Sequence, residues 1–573
     1  MRIQESLRKL TPYEWPSYSR KDKIRLDMNE SSWGCSPEVL KAIRTLGPED
    51  ISAYPDYGPA VENIARLHRL EPENVLLTNG ADEAIHTILN TFIRKDEEVV
   101  IPVPTFSLYR LEAQVREARI VEVPYDTKDF SFPLRTLLQK IGKRTRLLIL
   151  INPNNPTGTL IGRKNLEKIL FRARRSLVLL DETYAPFVPV TQSGLLKRFS
   201  HLILIGSFSK FHGLAGLRLG YILAAKKIIS LLRKVMQPCS VNALALAAGK
   251  AAVDDFRFQQ KVRAGVLAEK RFLQRELRKM GFKVFPGAAN FLLARTEGSC
   301  DNVCEGLFAS RILVKNLNHE PLLKGCLRLT VGRPEQNRLL LEKIHELLPP
   351  QAVLFDLDGV LVDVSRSYRT AIKKTAEFFL NETISLSEID ARKLQTGYNN
   401  DWDVTAALIA SRNKRVSRRK IISVFQGLYF GKKGEGLISQ ERWLLPKNIL
   451  LKLAKKYRLG IVTGRPRKEA LFTLRKFGVE KFFSGVVSME DVGRKPKPHP
   501  FGLRLALKRM NVRRAVYVGD IPDDMAAARA AGVTAIAVCR ERIKKKALWK
   551  SRLKEAGARH IIPTVSSLTE VLE

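Results

Sequence analysis

Lys210 closes the tetrapeptide Ser207-Phe208-Ser209-Lys210, directly after an apolar run at Leu202–Gly206, and Leu214-Ala215-Gly216-Leu217-Arg218 follows. A lysine amine flanked by hydroxyls and an arginine can condense with an aldehyde while its neighbours hold a phosphate. Pyridoxal 5'-phosphate asks for that combination. The cofactor needs further contacts, and each has a candidate. Asp181 ends the apolar run Leu177–Asp181 and would keep the pyridine nitrogen protonated, making the ring an electron sink. Asn155, inside Asn152-Pro153-Asn154-Asn155-Pro156-Thr157-Gly158, and Tyr184 offer hydrogen bonds to the ring hydroxyl. Gly80-Ala81-Asp82 opens a helix after Val75–Thr78, and a helix N-terminus is a ready phosphate site. Ser207, Ser209 and Arg218 would complete the phosphate cup. Alone, each piece is ordinary: Asn-Asn-Pro-Thr-Gly makes a turn, and an aspartate after a strand is commonly structural. Their order and strand-end placement together favour the cofactor site.

A second set lies downstream. Asp356-Leu357-Asp358-Gly359-Val360 follows the apolar run Ala352–Phe355. Asp356 would attack phosphorus, while Asp358 would protonate the leaving alcohol and then activate water. Magnesium takes oxygen ligands, and Asp356, the carbonyl of Asp358, and Asp520 of Gly519-Asp520 would supply them. Thr463, after Gly460-Ile461-Val462, and Lys495, in Lys495-Pro496-Lys497-Pro498, would hold phosphoryl oxygens. Lys497 competes for the role of Lys495. Asp523 and Asp524 would orient the lysine or the metal waters. A lone Asp-x-Asp-Gly also suits a calcium loop or a turn, but the ordered later motifs at strand ends argue against both.

Positioning these groups takes more than one core. A chain of 573 residues suggests about three to four folding units. From Val75 to Ala224, continuous apolar runs alternate with helical patterns, which implies an α/β fold with a mostly parallel sheet covered on both faces. A large domain at about 40–240 is expected, with a smaller α+β domain from the N-terminal segment and about 241–348. Leu347-Leu348-Pro349-Pro350 stops the last helix, since proline cannot continue it. A second α/β unit then runs over 351–573, with a helical insert expected at about 366–457. Asn399-Asn400-Asp401-Trp402-Asp403 in that insert reads either as pocket lining or as an interhelix loop.

Composition narrows the class. Apolar content of 45% and charged content of 27% suit a soluble globular protein. No apolar run is long enough to span a bilayer, and Met1-Arg2-Ile3-Gln4-Glu5-Ser6 lacks the apolar core of a secretory signal. The six cysteines are scattered with no CxxC pair, so a cytoplasmic location is expected. The net charge of +40 speaks to non-specific attraction. The basic clusters around Arg412–Lys420 and Lys544–Lys546 lack interleaved aromatics and read as solvated helix faces. No specific nucleic-acid partner and no membrane are expected, and a positive field would draw phosphorylated metabolites.

Over nearly all of residues 1–348 the chain resembles the fold-type-I aminotransferases, histidinol-phosphate aminotransferase most closely. The likeness rests on the cofactor set and on Leu10-Thr11-Pro12-Tyr13, Leu26-Asp27-Met28-Asn29-Glu30, Tyr54-Pro55-Asp56, Asn79-Gly80-Ala81-Asp82-Glu83, Pro104-Thr105-Phe106 and Gly325-Cys326-Leu327-Arg328-Leu329-Thr330-Val331-Gly332. The resemblance implies that Phe106 stacks on the cofactor ring, where tyrosine is frequent. It implies that Tyr54 reaches the cofactor phosphate of a neighbouring subunit, hence a homodimer. Arg328 would bind the substrate's anionic end, and Tyr13 and Asn29 would line the pocket. Lys315 stands where the family pattern has arginine. It keeps a cation for phosphate but loses the bidentate fork, and an exposed strand-end lysine is the competing reading.

From about 351 to 573 the chain resembles the haloacid dehalogenase superfamily, its helical insert looking like the type-1 cap that selects substrate in that family. Together the resemblances imply a bifunctional enzyme of histidine biosynthesis. The first half would transfer glutamate's amino group to imidazole-acetol phosphate, giving 2-oxoglutarate and histidinol phosphate. The second would hydrolyse a phosphomonoester, histidinol phosphate being the expected one. The alternative is an aromatic-amino-acid aminotransferase or phosphothreonine decarboxylase joined to a phosphoglycolate-type phosphatase.

Overall fold

The computed structural model describes residues 8, 10, 12, 16–188, 191–296, 298–393, 400–540 and 546–572. The chain divides into two compact units, Met1–Leu348 and Pro349–Glu573. Helix Pro334–Leu347 begins with proline at its first turn, where a missing N–H costs nothing, and ends just before Pro349-Pro350.

The first unit is built on a seven-stranded sheet. Across it run Val75–Thr78, Gly220–Ala224, Leu202–Ser207, Leu177–Asp181, Thr145–Ile151, Glu98–Val103 and Arg119–Pro124. Only Gly220–Ala224 runs against its neighbours. The central strands are buried over nearly their whole length, which is why each appears as an unbroken apolar run. Helix Gly80–Phe92 leads directly out of Val75–Thr78 and buries Ala84, Ile85, Ile88 and Leu89 against the sheet.

The 24-residue helix Phe256–Lys279 packs within a second core of this unit, with Val262, Val266, Leu273 and Leu277 buried. Asp255 caps it, its carboxylate accepting from Phe258 N at 3.0 Å. That core lies on a five-stranded sheet ordered Ile24–Leu26, Ile312–Asn316, Cys326–Thr330, Phe291–Arg295 and Lys283–Val284. Ile24–Leu26 pairs parallel with Ile312–Val314 and so ties the N-terminal segment into this sheet.

The second unit holds a six-stranded parallel sheet ordered Phe483–Val487, Arg458–Val462, Ala352–Phe355, Ala515–Gly519, Thr534–Val538 and His560–Ile562. Helices Tyr368–Leu380, Leu386–Lys393, Asp401–Ala410 and Arg418–Tyr429 form the insert. A short antiparallel pair, Val362–Asp363 with Arg442–Trp443, brackets it. The insert therefore closes earlier than the expected 457: helix Lys447–Lys456 packs against Arg458–Val462 of the sheet. Among the described residues, no helix is long and apolar enough to cross a membrane.

Candidate active sites

Asp181 and Lys210 reach the first site from neighbouring strands. Asp181 ends Leu177–Asp181 and pairs with Ile205 in the strand that leads to Lys210. Its carboxylate accepts from Tyr109 OH at 2.9 Å and from Thr183 N at 2.8 Å. Burial holds it above the usual carboxylate range. It makes no salt bridge among the described residues, so a buried carboxylate is left without a cation, an arrangement a protonated ring nitrogen would complete.

Lys210 Nζ donates to Met28 O at 2.9 Å. Burial, aided by the nearby Arg328 guanidinium, pushes the amine down to about 8. Arg328 is buried; it donates to Asn155 Oδ1 at 2.5 Å and to Asp27 O. Thus two consecutive backbone carbonyls, of Asp27 and Met28, meet the two cations. The segment carrying them is pinned by Arg20, which bridges Asp27 at 2.6 Å and Glu30 at 2.8 Å. Sequence reasoning missed Arg20, although Leu26–Glu30 had been singled out.

Asn29, buried and with φ of +57°, donates from Nδ2 to Tyr184 OH at 2.9 Å. Asn155, Tyr184, Asn29, Arg328 and Lys210 are thereby linked through direct contacts or a shared segment. Lys315 is exposed, but it lies directly opposite Arg328 in the antiparallel pairing of Ile312–Asn316 with Cys326–Thr330. Opposite residues share a sheet face, so Lys315 and Arg328 lie on one side. Tyr54 is 87% exposed. Tyr13 lies outside the described residues.

The residues expected to form the phosphate cup are brought together by the backbone. Gly80 has φ of +79°, and a Cβ there would sit 2.5 Å from Arg218 Nη2. A Cβ on Gly220 would fall 2.6 Å from the carbonyl carbon of Gly80. Glycine at both positions lets the strand, the helix start with Ala81, and Arg218 converge. Arg218 donates to Ser209 Oγ at 3.3 Å and pairs with Asp82 at 2.6 Å. Ser207 Oγ accepts from Ser209 N at 3.2 Å. Phe106 precedes helix Ser107–Val115 and meets Tyr109 edge to face, the ring that in turn binds Asp181.

In the second unit, Asp356 follows the central strand Ala352–Phe355 and is buried. Its partner is Lys497. Lys497 Nζ lies 3.1 Å from Asp356 Oδ1, 2.7 Å from Asp524 Oδ1 and 2.7 Å from Tyr517 OH. Lys495 is exposed, its ammonium over the Phe501 ring, so it is Lys497 and not Lys495 that the structure places beside Asp356. Two lysines two residues apart are alike in sequence, and only the loop's course distinguishes them. Burial opposes the charge on Lys497, but Asp356 and Asp524 outweigh it and hold the ammonium above its ordinary range. Burial drives Asp356 well above the carboxylate range, with Lys497 pulling it back.

Carboxylate oxygens of Asp356, Asp520 and Asp524 all lie within 4.8 Å of one another. Burial, with Asp524 nearby, pushes Asp520 up to about 6. Crowded acids of this kind, Asp356 and Asp524 buried and Asp520 half-buried, fit an oxygen-seeking divalent cation. Asp524 is already engaged: it accepts from Lys497, Tyr517 OH, Asp520 N and Ile521 N. That makes it the support of Lys497. Gly359, with φ of +74°, has no room for a Cβ beside Asp520 Oδ2.

The side chain of Asp358 faces Arg465 and stands apart from the carboxylate cluster, so only its carbonyl remains for the expected metal role. Arg465 follows Thr463-Gly464, is fully buried, and was not foreseen. Thr463 Oγ1 accepts from Arg465 N at 3.2 Å. A cavity of about 140 Å³ opens over Asp356, Asp358 and Asp520, and Arg369, Lys393 and Trp402 of the insert also line it. Asn400 and Asp401 line it too, whereas Asp403 pairs with Arg418 and Asn399 lies outside the described residues.

Comparison with known proteins agrees with this geometry. The family model of class I and II aminotransferases matches residues 21–344, and that of haloacid dehalogenase-like hydrolases matches residues 350–532. Histidinol-phosphate aminotransferase 2 of Carboxydothermus hydrogenoformans is 32% identical over 332 residues, 56% of this chain and 91% of that one. The histidinol-phosphate aminotransferase of Thermoanaerobacter pseudethanolicus is 32% identical over 354 residues, 60% of this chain and 98% of that one. The solved histidinol-phosphate aminotransferase of Sinorhizobium meliloti, in complex with pyridoxal-5'-phosphate, superposes with a TM-score of 0.56 at 24% identity, covering 61% of this chain and 98% of that one.

Proposed function

The chain belongs to the class I and II aminotransferases and carries a haloacid dehalogenase-like hydrolase domain after that domain, and from this premise we propose that it catalyses two consecutive steps. The first makes histidinol phosphate from imidazole-acetol phosphate and glutamate. The second hydrolyses histidinol phosphate to histidinol and phosphate. One observation carries the link: the first reaction leaves a phosphomonoester, and the buried Asp356–Lys497 pair on the same chain suits attack on that group.

Bound pyridoxal 5'-phosphate would supply an aldehyde to carry the amino group and a ring to spread negative charge. Asp181 would hold the proton on the ring nitrogen, its lack of a cationic partner favouring that role. Asn155 and Tyr184 would meet the ring hydroxyl, and Phe106 the ring face. Gly80, Ala81 and Asp82 with Ser207, Ser209 and Arg218 would hold the phosphate. Lys210 Nζ, its pKa lowered to about 8 so that its amine form lies closer to neutral pH than that of an ordinary lysine, would move the proton on and off the substrate's α-carbon. Arg328 would bind glutamate's carboxylate or the phosphate of the acceptor, with Asn29, Tyr13 and Lys315 beside it. The exposed Tyr54 suits a reach to the cofactor of a second copy in a homodimer.

In the second unit, an oxygen of Asp356 would form a bond to phosphorus as the bond to the leaving oxygen breaks. Asp358 would give that oxygen its proton, releasing histidinol and leaving an aspartyl phosphate. Asp358 would then take a proton from water as the water oxygen bonds to phosphorus, freeing phosphate and Asp356. Lys497 and Thr463 would hold phosphoryl oxygens. Magnesium at Asp356, Asp520 and the carbonyl of Asp358 would offset the phosphoryl charge.

The test compares phosphate release from histidinol phosphate and from phosphoglycolate. We expect kcat/KM to favour histidinol phosphate by at least about tenfold, the scale of one good pocket contact. Equal values would sink the assignment.

A further inference from the structure

Arg465 is the largest fully buried side chain of the protein's described residues, and its guanidinium is held on every side. Nη1 donates to Glu441 Oε2 at 3.1 Å and to Thr473 Oγ1 at 2.9 Å, and Nη2 to Glu441 Oε1 at 3.0 Å. Glu441 is itself fixed by Ser367 Oγ at 3.1 Å, Tyr429 OH at 3.0 Å and Thr473 Oγ1 at 3.1 Å. The Tyr368 ring lies 4.9 Å from the guanidinium carbon. Tyr368 OH in turn donates to Glu469, which also accepts from Gln426 at 2.9 Å.

Burying an ion pair this completely is costly, and apolar side chains of similar volume would serve stability as well. The arrangement makes sense through what it does to Asp358. Nε donates to Asp358 Oδ1 at 2.7 Å, and Nη2 donates to the same oxygen. Both donors thus grip Oδ1, while Oδ2 keeps no protein partner among the described residues. Asp358 and Arg465 both line the cavity above Asp356.

We propose that Arg465, locked by Glu441 and Thr473, is a positioning residue that fixes Asp358 by one oxygen and so presents the other to the leaving group and then to water. Ser367, Tyr368 and Tyr429 come from the insert side, so the same lock ties Asp358's orientation to the insert's seating. This rests on the phosphatase reading above.

The test measures kcat/KM for p-nitrophenyl phosphate and for β-glycerophosphate with the full chain and Mg²⁺. This parameter reports the step in which the leaving group departs. p-Nitrophenolate leaves without a proton, whereas an alkoxide needs one, so loss of a placed acid falls mainly on β-glycerophosphate. R465Q is expected to lower kcat/KM for β-glycerophosphate by about 100-fold, the lower range for general acid catalysis, and for p-nitrophenyl phosphate by less than about tenfold. R465K, which keeps the buried charge, should show the same skew at smaller size. R465Q in a D358N background should add no further skew. A merely unfolded fraction lowers both substrates alike. Parallel losses in R465Q and R465K, or skews that multiply with D358N, would overturn the proposal. A wild-type chain inactive on both substrates and on histidinol phosphate would instead overturn the phosphatase reading.

Discussion

Replacing Lys497 by methionine separates the two lysines of Lys495-Pro496-Lys497-Pro498 and tests how the second site is held together. Lys497 Nζ is shared by Asp356, Asp524 and Tyr517 at 3.1, 2.7 and 2.7 Å, with all three partners buried. Methionine keeps much of the volume and removes the charge. Two buried carboxylates then lose their cation, and breaking such a pair costs about 3–5 kcal/mol. In catalysis, losing one fixed donor at a developing charge costs about 100- to 1000-fold in kcat. K497M should therefore lower phosphate release per folded chain by at least about 100-fold and lower the unfolding temperature of the second unit. Lys495 is exposed with its ammonium over the Phe501 ring, and K495A should stay within about twofold of wild type, as surface substitutions do. Aminotransferase activity, seated in the other unit, should be unchanged in both. The assay is phosphate release from p-nitrophenyl phosphate, with the folded fraction read by thermal unfolding. A K495A loss as large as that of K497M, or K497M retaining more than about a tenth of wild-type activity, would refute the reasoning.

Three further outcomes are expected. Because Lys210 is pushed down to about 8, its reactive amine form grows as pH rises through that value; the rate of cofactor uptake by apoprotein should climb to a plateau just above pH 8, whereas an unperturbed lysine would keep climbing to about 10.4. Asp520, pushed up to about 6, loses its negative charge as pH falls through that value, so Mg²⁺ affinity measured calorimetrically should weaken as pH is lowered through about 6. Gly80→Ala puts a Cβ at 2.5 Å from Arg218 on a backbone with φ of +79°; cofactor affinity should weaken at least about tenfold, followed by absorbance titration.

Much of the framework was legible because fully buried parallel strands leave unbroken apolar runs. Leu177–Asp181, Glu98–Val103 and Ala515–Gly519 are such strands, and the residues at or just beyond their ends include Asp181 and Asp520. Ile24–Leu26 was not legible: three residues at a sheet edge, only Leu26 of them buried, carry no periodic signal. The two-residue pair Val362–Asp363 and Arg442–Trp443 is shorter still, and without it the end of the insert was placed too late. Lys497 was named only as a competitor of Lys495, and Arg465 was missed, for a different reason. Their partners lie far along the chain, Asp356 and Asp524 for the one and Asp358 and Glu441 for the other, and only the fold brings them together. Thr463-Gly464-Arg465 offered a signal, since a charged residue directly after a buried strand end is rarely idle.

The most direct measurement follows one reaction mixture to its end products. Purified wild-type chain with pyridoxal 5'-phosphate, Mg²⁺, imidazole-acetol phosphate and glutamate should yield 2-oxoglutarate, histidinol and phosphate in equal amounts. K210A should yield none of the three, and D356N should form 2-oxoglutarate while histidinol phosphate accumulates. Wild-type reaction that stops at histidinol phosphate, or D356N that still releases phosphate from it, would contradict the two-step account.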